Sequence, residues 1–139
     1  VIEGGGEGSW DVQGVGTRHV IHHDGALCMV YEAVDAKGGH SIGLATSTDG
    51  GKTWKKDESV PGKSEAGGPV FEARVGVKDA WDNGVVGTPF VCKVPGGGYR
   101  LYYVGCGKDS KGENTVAIGC AESVDGSLKQ WRRVLCTVE

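Results

Sequence analysis

The sequence predicts an all-β chain made of two consecutive four-stranded antiparallel sheets. Three observations lead to this prediction: an internal repeat that spans most of the chain, runs of β-branched and aromatic residues, and turn residues between those runs. The 139 residues contain 26 glycines, and no long segment has the 3.6-residue period of an amphipathic helix. Short strands joined by tight turns are therefore favoured over helices.

The repeat is carried by four anchors that occur in the same order in both halves. Residues 10–17 (WDVQGVGT) recur as residues 81–88 (WDNGVVGT), and residues 42–50 (IGLATSTDG) recur as residues 118–126 (IGCAESVDG). The other two anchors are residues 28–31 with residues 100–103, and Trp54 with Trp131. The offset between the two copies never decreases along the chain: it rises from 71 to 77 residues. Insertions in surface loops of the second copy would produce this rise.

Each copy contains four runs that are typical of strands. In the first copy they are residues 15–23, 27–34, 40–47 and 54–60, and in the second they are residues 86–94, 99–106, 116–123 and 130–138. Glycine-containing turns such as Asp24-Gly25 and Asp125-Gly126 separate them. Four antiparallel strands repeated at this spacing suit two blades of a β-propeller, a fold that closes with about four to eight blades.

The segment 47–54 (STDGGKTW) resembles the Asp-box of sialidase-type propellers, which joins the third and fourth strands of a blade. Its aspartate accepts hydrogen bonds inside the turn, and a glycine takes the positive-φ position. The corresponding segment of the second copy is degenerate. The Asp-box has a structural role, so it indicates a blade rather than a chemistry.

Two further stretches narrow the resemblance. Residues 68–72 (GPVFE) lead into Trp81-Asp82 and residues 86–91 (VGTPFV), and residues 98–105 and 118–123 follow. This order resembles the five-bladed propellers of the arabinanase, levansucrase and invertase group, which includes glycoside hydrolase families 43, 32 and 130. The resemblance implies a portion of a five-bladed propeller that acts on or binds a carbohydrate.

The domain organisation follows from the repeat. Residues 1–9 are expected to form a lead or inter-blade loop, residues 10–67 the first blade, and residues 68–139 an inter-blade loop and the second blade. Two blades cannot close a ring and would expose apolar faces. Expected partners are therefore the remaining blades, from the same chain or from a partner protein; an altered architecture is the third alternative.

Composition excludes several classes of function. The formal charge of −3 comes without a basic stripe, so no nucleic-acid partner is predicted, and no apolar run is long enough to span a membrane. The five cysteines have no zinc-site spacing, and their odd number argues against a complete disulfide framework. We therefore predict no metal and no cofactor, and favour a reducing intracellular compartment or organelle.

The candidate catalytic residues are carboxylates on the face formed by the loop entering the first strand and the loop joining the second and third. They are Asp82, Asp11 and Glu32. Glycoside hydrolysis needs two carboxyl groups across the scissile bond. Because the Trp-Asp pair recurs in both copies, a structural role for Asp11 and Asp82 is the stronger alternative. A solvated glutamate at the end of a strand is the alternative for Glu32.

The candidate substrate-binding residues are two tryptophans and two threonines: Trp10, Trp81, Thr17 and Thr88. The tryptophans could stack on sugar rings, or they could pack within the blades. The resemblance implies an aspartate before a proline in the first strand of a blade, yet Thr88 precedes Pro89 and Thr17 precedes Arg18. A hydroxyl cannot replace an ionised carboxylate. Two functions stay open: a glycoside hydrolase-like enzyme, and a non-catalytic binding or scaffolding propeller.

Overall fold

A computed structural model describes residues 1–57 and 67–135 of the chain. Within these ranges every regular element is a strand, which confirms the predicted all-β class. The strands are, in chain order, β1 (Gly14–His23), β2 (Ala26–Val34), β3 (His40–Ser47), β4 (Lys55–Lys56), β5 (Phe71–Glu72), β6 (Val85–Lys93), β7 (Tyr99–Lys108), β8 (Asn114–Ser123) and β9 (Trp131–Val134).

The strands form two antiparallel sheets that each follow chain order. The first sheet has the order β1-β2-β3-β4, with β5 also paired to β3, and the second has the order β6-β7-β8-β9. Two four-stranded meanders in tandem are consistent with two propeller blades. The predicted strands agree with the observed strands to within a few residues at their ends. The exception is β4, which has two residues where the sequence predicted residues 54–60. Parts of the predicted outer strands, residues 58–60 and 136–138, lie outside the described residues.

The outer edge of β3 is covered by two separate pieces of chain. Ala45 and Thr46 pair with β4, and the amide of Asp57 donates to the carbonyl of Leu44 at 2.8 Å. Further along β3, the amide of Val70 donates to the carbonyl of Ile42, also at 2.8 Å, and β5 follows. The sequence assigned β5 to the connection between blades. In the structure it completes the outer strand position of the first sheet.

The hairpin turns have the backbone conformations and hydrogen bonds that their residue types predict. In the two-residue loop between β1 and β2, Asp24 has φ 49° and Gly25 has φ 74°, the two positive values that a type I′ turn requires. In the turn after β3, Asp49 accepts hydrogen bonds from the amides of Lys52 and Thr53 at 3.0 and 2.9 Å. The hydroxyl and amide of Thr53 together lower the pKa of Asp49 to about 2.

The main hydrophobic core lies between the two sheets. The first sheet contributes residues of β2 and β3 to it, and the second sheet contributes residues of β6, β7 and β8. The members of this core include Cys28, Val30, Ile42 and Leu44 from the first sheet, and Val86, Val91, Leu101, Tyr103 and Ala121 from the second. Full burial of a large apolar side chain stabilises a fold by about 1.5–3 kcal/mol, so this interface holds the sheets together.

A second cluster lies on the opposite face of the first sheet. It consists of Met29, Tyr31, Ala33 and Ala45, with Ile2, Trp10, Val15 and Trp54 packed against it. Residues near the N-terminus therefore cover this face, which would otherwise be open to water.

The cysteines of the described ranges are free thiols. Cys28 and Cys120 are buried, whereas Cys92 and Cys106 are half-buried. Cys136 lies outside the described residues. Residues 1–57 and 67–135 also contain no helix that could cross a membrane.

Candidate functional site

The first strand of each sheet is interrupted by a bulge at the same place. The register shifts between Val15 and Arg18 in β1, and between Gly87 and Phe90 in β6. The bulges contain the two predicted threonines. Thr88 has φ 49°, a left-handed conformation that is rare for a β-branched residue and costs about 1–3 kcal/mol. Strain of this kind persists only where surrounding contacts hold it.

Glu32, near the end of β2, holds that strained backbone in place. Its Oε2 accepts hydrogen bonds from the Thr17 hydroxyl at 2.6 Å and from the Thr88 amide at 2.8 Å. Its Oε1 lies 2.6 Å from Nδ1 of His40. A carboxylate of the first sheet therefore joins the bulges of both sheets. Three of the predicted site residues, Glu32, Thr17 and Thr88, meet here.

Gly87 makes this approach possible. A Cβ atom at this position would overlap the carboxylate of Glu32. The glycine is needed because the carboxylate lies directly against the backbone of β6. The side chain of Glu32 is 18% exposed and that of His40 is 36% exposed, so the pair is sheltered but reachable from solvent.

The network sets the charge of Glu32. Burial alone would raise its pKa, but hydrogen bonds from Thr17, His40 and the Thr88 amide outweigh burial and hold the pKa of Glu32 below its usual value. Glu32 is therefore ionised at neutral pH. An ionised carboxylate can accept hydrogen bonds from sugar hydroxyls, act as a base or act as a nucleophile; it is poorly suited to donate a proton.

His40 was not among the predicted site residues. Glu32 pairs with Ile42 across the β2–β3 hairpin, and Val34 pairs with His40. Glu32 and His40 are thus diagonal neighbours on one face, a spacing within reach of long side chains. That spacing could have been found by pairing the two predicted strands through the turn at residues 35–39. Asp35 closes this turn by accepting hydrogen bonds from the amides of Lys37 and Gly39.

Two clefts adjoin the Glu32–His40 pair. One has a volume of about 290 Å³ and is lined by Glu32, Thr17 and Gln13, together with the first residues of β1 and Val34 of β2. The other has a volume of about 440 Å³ and is lined by His40, Arg74 and residues around them. The pair therefore has open space on both sides.

Asp82 lies elsewhere, in a buried ion cluster of the second sheet. Its side chain is fully buried, and it accepts hydrogen bonds from Nε of Arg74 at 2.5 Å, Nε of Arg133 at 2.7 Å and the Tyr103 hydroxyl at 2.9 Å. Burial would raise the pKa of Asp82, but these hydrogen bonds outweigh it and hold the pKa below its usual value. The guanidinium of Arg133 also lies 4.2 Å over the ring of Phe71.

Asp11 occupies the matching place in the first sheet. It is 1% exposed, and Nζ of Lys56 lies 2.5 Å from its Oδ2. The Ser9 hydroxyl and the Gly5 amide donate to its Oδ1. Burial would raise the pKa of Asp11, but the hydrogen bonds from Lys56, Ser9 and Gly5 lower it overall. No hydrogen bond in the described part of the chain joins Asp11 or Asp82 to Glu32.

The two ion clusters are equivalent by strand register. Lys56 pairs with Ala45 in the first sheet, as Arg133 pairs with Ala121 in the second. Each aspartate thus binds a cation on the outer strand of its own sheet. This geometry is the one expected for the structural alternative, in which the Trp-Asp segment anchors a sheet.

The two predicted tryptophans pack against tyrosines of β2 and β7. The rings of Trp10 and Tyr31 have centroids 6.1 Å apart, and those of Trp81 and Tyr103 are stacked at 5.8 Å. Both indoles are half-buried. Their positions beside the buried aspartates agree with the packing alternative; a role in binding sugar rings stays a prediction.

The two tyrosines provide a matched test of these clusters. Replacing Tyr103 by Phe should lower the free energy of unfolding by about 2 kcal/mol, because the hydroxyl donates to the charged Asp82. Replacing Tyr31 by Phe should leave stability unchanged or raise it, because the Tyr31 hydroxyl is buried without a hydrogen-bond partner among the described residues. Urea unfolding of the two variants measures the difference, and equal effects would contradict the assigned hydrogen bonds.

The fold resembles solved structures of larger proteins. One is a protein from a BT0996 RGII complex, with a TM-score of 0.66 and 18% identity, and the match covers 92% of this chain and 41% of that protein. Another is a proposed glycoside hydrolase from Parabacteroides distasonis, with a TM-score of 0.62 and 22% identity, and the match covers 86% of this chain and 31% of that protein. At these identities the likeness shows a shared fold.

No family model matches the chain, and no curated protein matches it. The chain spans less than half the length of each of these two proteins. The chemistry of the chain is therefore inferred from its own side chains.

Proposed function

We propose that the chain is the part of a glycoside hydrolase-like propeller that carries a carbohydrate site around Glu32. The observation that supports this site is the convergence on one carboxylate of a threonine hydroxyl, an imidazole and the strained Thr88 amide. Strain held by a polar network is typical of functional sites. The similarity to a proposed glycoside hydrolase agrees with the choice of ligand.

In this proposal Glu32 is the group that touches the sugar. Its lowered pKa favours a base, a nucleophile or an acceptor of sugar hydroxyls over a general acid. Thr17 is the residue beside it that offers a further hydroxyl. A hydrolytic reaction needs a second carboxyl group about 5–5.5 Å away for retention, or about 6.5–9.5 Å away for inversion. Asp11 and Asp82 are poor choices for it, because they are buried, at 1% and 0% exposed, and their oxygens are held by Lys56 and by two arginines.

The second candidate is a non-catalytic propeller that binds carbohydrate or serves as a scaffold. Thr17 and Thr88 favour it, because they stand at the bulges where the resemblance implies carboxylates. Glu32 would then bind sugar hydroxyls without cleaving a bond. Both candidates assign the same residue to the ligand, so one variant series tests them together.

The test uses the intact natural polypeptide with aryl glycosides, arabinan and fructans. Glu32→Gln should lower turnover about a hundredfold, or abolish glycan binding if the protein only binds. Glu122→Gln is the matched control, because Glu122 is also an ion-paired carboxylate and lies on the second sheet. Glu32→Gln should unfold at a lower urea concentration than Glu122→Gln, because the amide weakens the contacts that hold the Thr88 backbone, so function is compared under conditions where both variants are folded.

The outcomes separate the candidates. Turnover that is lost in Glu32→Gln and kept in Glu122→Gln supports the enzyme. Binding without turnover, lost in the same variant, supports the binding module. Neither turnover nor binding by the natural polypeptide, or full function of Glu32→Gln, would overturn the assignment of this site.

A further inference from the structure

The first strand of the second sheet has an edge that the first sheet satisfies with side chains. In the order β6-β7-β8-β9 only one side of β6 has a strand neighbour, so backbone amides on its other side need acceptors from elsewhere. The Thr88 amide donates to Glu32 at 2.8 Å, and the Val91 amide donates to Nδ1 of His19 at 3.2 Å. A carboxylate and an imidazole of the first sheet therefore join the two sheets at this edge.

The two acceptors differ in their response to protons. An imidazole accepts a hydrogen bond only through a ring nitrogen that carries no hydrogen, and a backbone amide can only donate. The bond from Val91 therefore requires a neutral His19 with its hydrogen on Nε2. In a protonated His19 the Nδ1–H group would face the N–H group of Val91, and the bond is lost. Glu32, whose pKa lies below its usual value, still accepts from Thr88 at a pH where His19 is charged.

The surroundings of His19 do not compensate a positive charge. Its ring centroid lies 4.3 Å from that of the Phe90 ring, and across the β1–β2 hairpin it pairs with Val30. His23 is the titratable residue that follows on the same face of β1. Burial lowers the pKa of His19 from 6.5, and no charged side chain in the described part of the chain contributes to this shift. The closed edge therefore disfavours the charged ring.

His23 provides a comparison on the same strand. Its Nδ1 lies 2.8 Å from the hydroxyl of Tyr99, and its Nε2 lies 3.3 Å from a carboxylate oxygen of Asp24. A hydroxyl can donate to a neutral ring or accept from a charged one, and an ionised carboxylate accepts from either. Protonation therefore leaves His23 with suitable partners on both nitrogens. Acid sensitivity of the contact between the sheets is expected at His19 rather than at His23.

We infer that His19 is a proton-sensitive contact that regulates the Glu32 site, because its neutral form holds β6 beside β1 and its protonation releases that edge. Thr17 lies two residues before His19 in β1, and Thr88 lies three residues before Val91 in β6, so both bulges adjoin this contact. The left-handed backbone of Thr88 persists only while surrounding contacts hold it. Loss of the bond from Val91 therefore weakens the geometry in which the Thr88 amide reaches Glu32.

The direction of the pH effect follows from the pKa of His19. Because this pKa is lowered from 6.5 in the folded state, the contact contributes its full stability above pH 6.5. The contribution is lost as the pH falls below 6.5 towards the lower pKa of the closed edge, since the opened edge binds a proton more readily. Acidification should therefore open the edge before it neutralises Glu32.

Amide hydrogen exchange of the intact natural polypeptide at about pH 7.5 and about pH 5.5 tests the inference without any ligand. Protection factors are corrected for the intrinsic pH dependence of exchange. Those of the Val91 and Thr88 amides should fall at least about threefold at the lower pH. Amides of β7, which is paired on both sides, should keep more of their protection.

A pair of variants separates the acceptor from its titration. In His19→Asn the side-chain carbonyl oxygen can accept from Val91 at either pH, so the pH dependence of protection should disappear. His22→Asn is the matched control, because His22 is exposed and points to the opposite face of β1 from His23. This control should keep the pH dependence of the natural chain.

Each outcome decides for or against the contact. Unchanged protection of Val91 between the two pH values would overturn the inference, and so would a His19→Asn variant that keeps the natural pH dependence. Nitrogen NMR of His19 needs no variant: at about pH 7.5 its Nδ1 should carry no hydrogen. A hydrogen found on Nδ1 would contradict the assigned bond.

The regulatory role rests on the function proposed above, and glycan binding tests it separately. Affinity for arabinan or fructan should fall between about pH 7.5 and about pH 5.5 in the natural polypeptide and stay constant in His19→Asn. A constant affinity in both, with protection lost at Val91, would reject the regulatory role alone. Absence of glycan binding at either pH would reject the proposed function and this role together, while the exchange results still decide on the contact.

Discussion

Replacing Asp82 by Asn is expected to lower the free energy of unfolding by about 3 kcal/mol. The change leaves Arg74 and Arg133 facing a neutral amide inside the second sheet, and loss of one partner from a buried ion pair costs about 3–5 kcal/mol. We expect the lower end of that range because both arginines are partly exposed and retain some hydration. Urea or thermal unfolding of the variant measures the loss.

The same variant should change how stability depends on pH. The pKa of Asp82 is lowered in the folded state from its ordinary value of 3.8. The carboxylate therefore contributes stability that is fully present above pH 3.8 and is lost as the pH falls through the lower folded pKa. Asp82→Asn should remove this part of the acid sensitivity and flatten the stability profile below pH 3.8.

Two control variants show whether the loss of stability in Asp82→Asn comes from its buried ion cluster. Asp11→Asn changes the matching aspartate of the first sheet and should also destabilise the fold. Asp109→Asn keeps an acceptor oxygen for the turn between β7 and β8, and an exposed substitution of this kind should shift stability by less than about 0.5 kcal/mol. If Asp82→Asn abolished turnover at unchanged stability, Asp82 would be a catalytic residue and the structural assignment would fail.

Replacing Gly119 by Val is expected to destabilise the second sheet by about 3 kcal/mol. A Cβ at this position would lie 2.6 Å from the hydroxyl oxygen of Tyr103 and overlap its ring. The ring cannot move easily, because it is stacked on Trp81 and its centroid lies 4.6 Å from that of the Phe71 ring. The Tyr103 hydroxyl also donates a hydrogen bond to Asp82. Relief of the overlap therefore requires a shift of backbone or loss of these contacts.

Gly16→Val is the matched control for this substitution. Gly16 lies in β1 at a position where an added Cβ would meet nothing within 4 Å, and its backbone has no positive φ. Its free energy of unfolding should change by less than about 0.5 kcal/mol. A similar loss in both variants would show that strand propensity, and not contact with Tyr103, controls the effect. Thermal unfolding of the two variants decides between these explanations.

The strands were predictable because their signals are local. Alternation of apolar residues and turns such as Asp24-Gly25 depend on neighbours in sequence, and the repeat then set the number of strands in each sheet. The position of β5 was not predictable in the same way. Its pairing with β3 joins residues about thirty positions apart, so no single tight turn fixes the register.

The site was only partly predictable for a related reason. Glu32, Thr17 and Thr88 were found from strand ends and from an expected motif, but their contact depends on how the two sheets pack. The left-handed backbone of Thr88 breaks a local preference, and it is held by a carboxylate 56 positions away in sequence. Lys56 beside Asp11 and Arg133 beside Asp82 come from outer strands, whose register the sequence pattern left open.

The outer strand position of the first sheet is filled by two pieces of chain, and this affects which changes in sequence the fold can tolerate. The carbonyls of Leu44 and Ile42 on the outer edge of β3 accept hydrogen bonds from the amides of Asp57 and Val70, so two anchor points lie next to each other on this edge. Closing a loop between fixed ends grows costlier only slowly with its length. The number and kind of residues between these anchors can therefore vary while strand pairing stays the same. This edge is a place where the molecule can acquire a new surface without rebuilding its core.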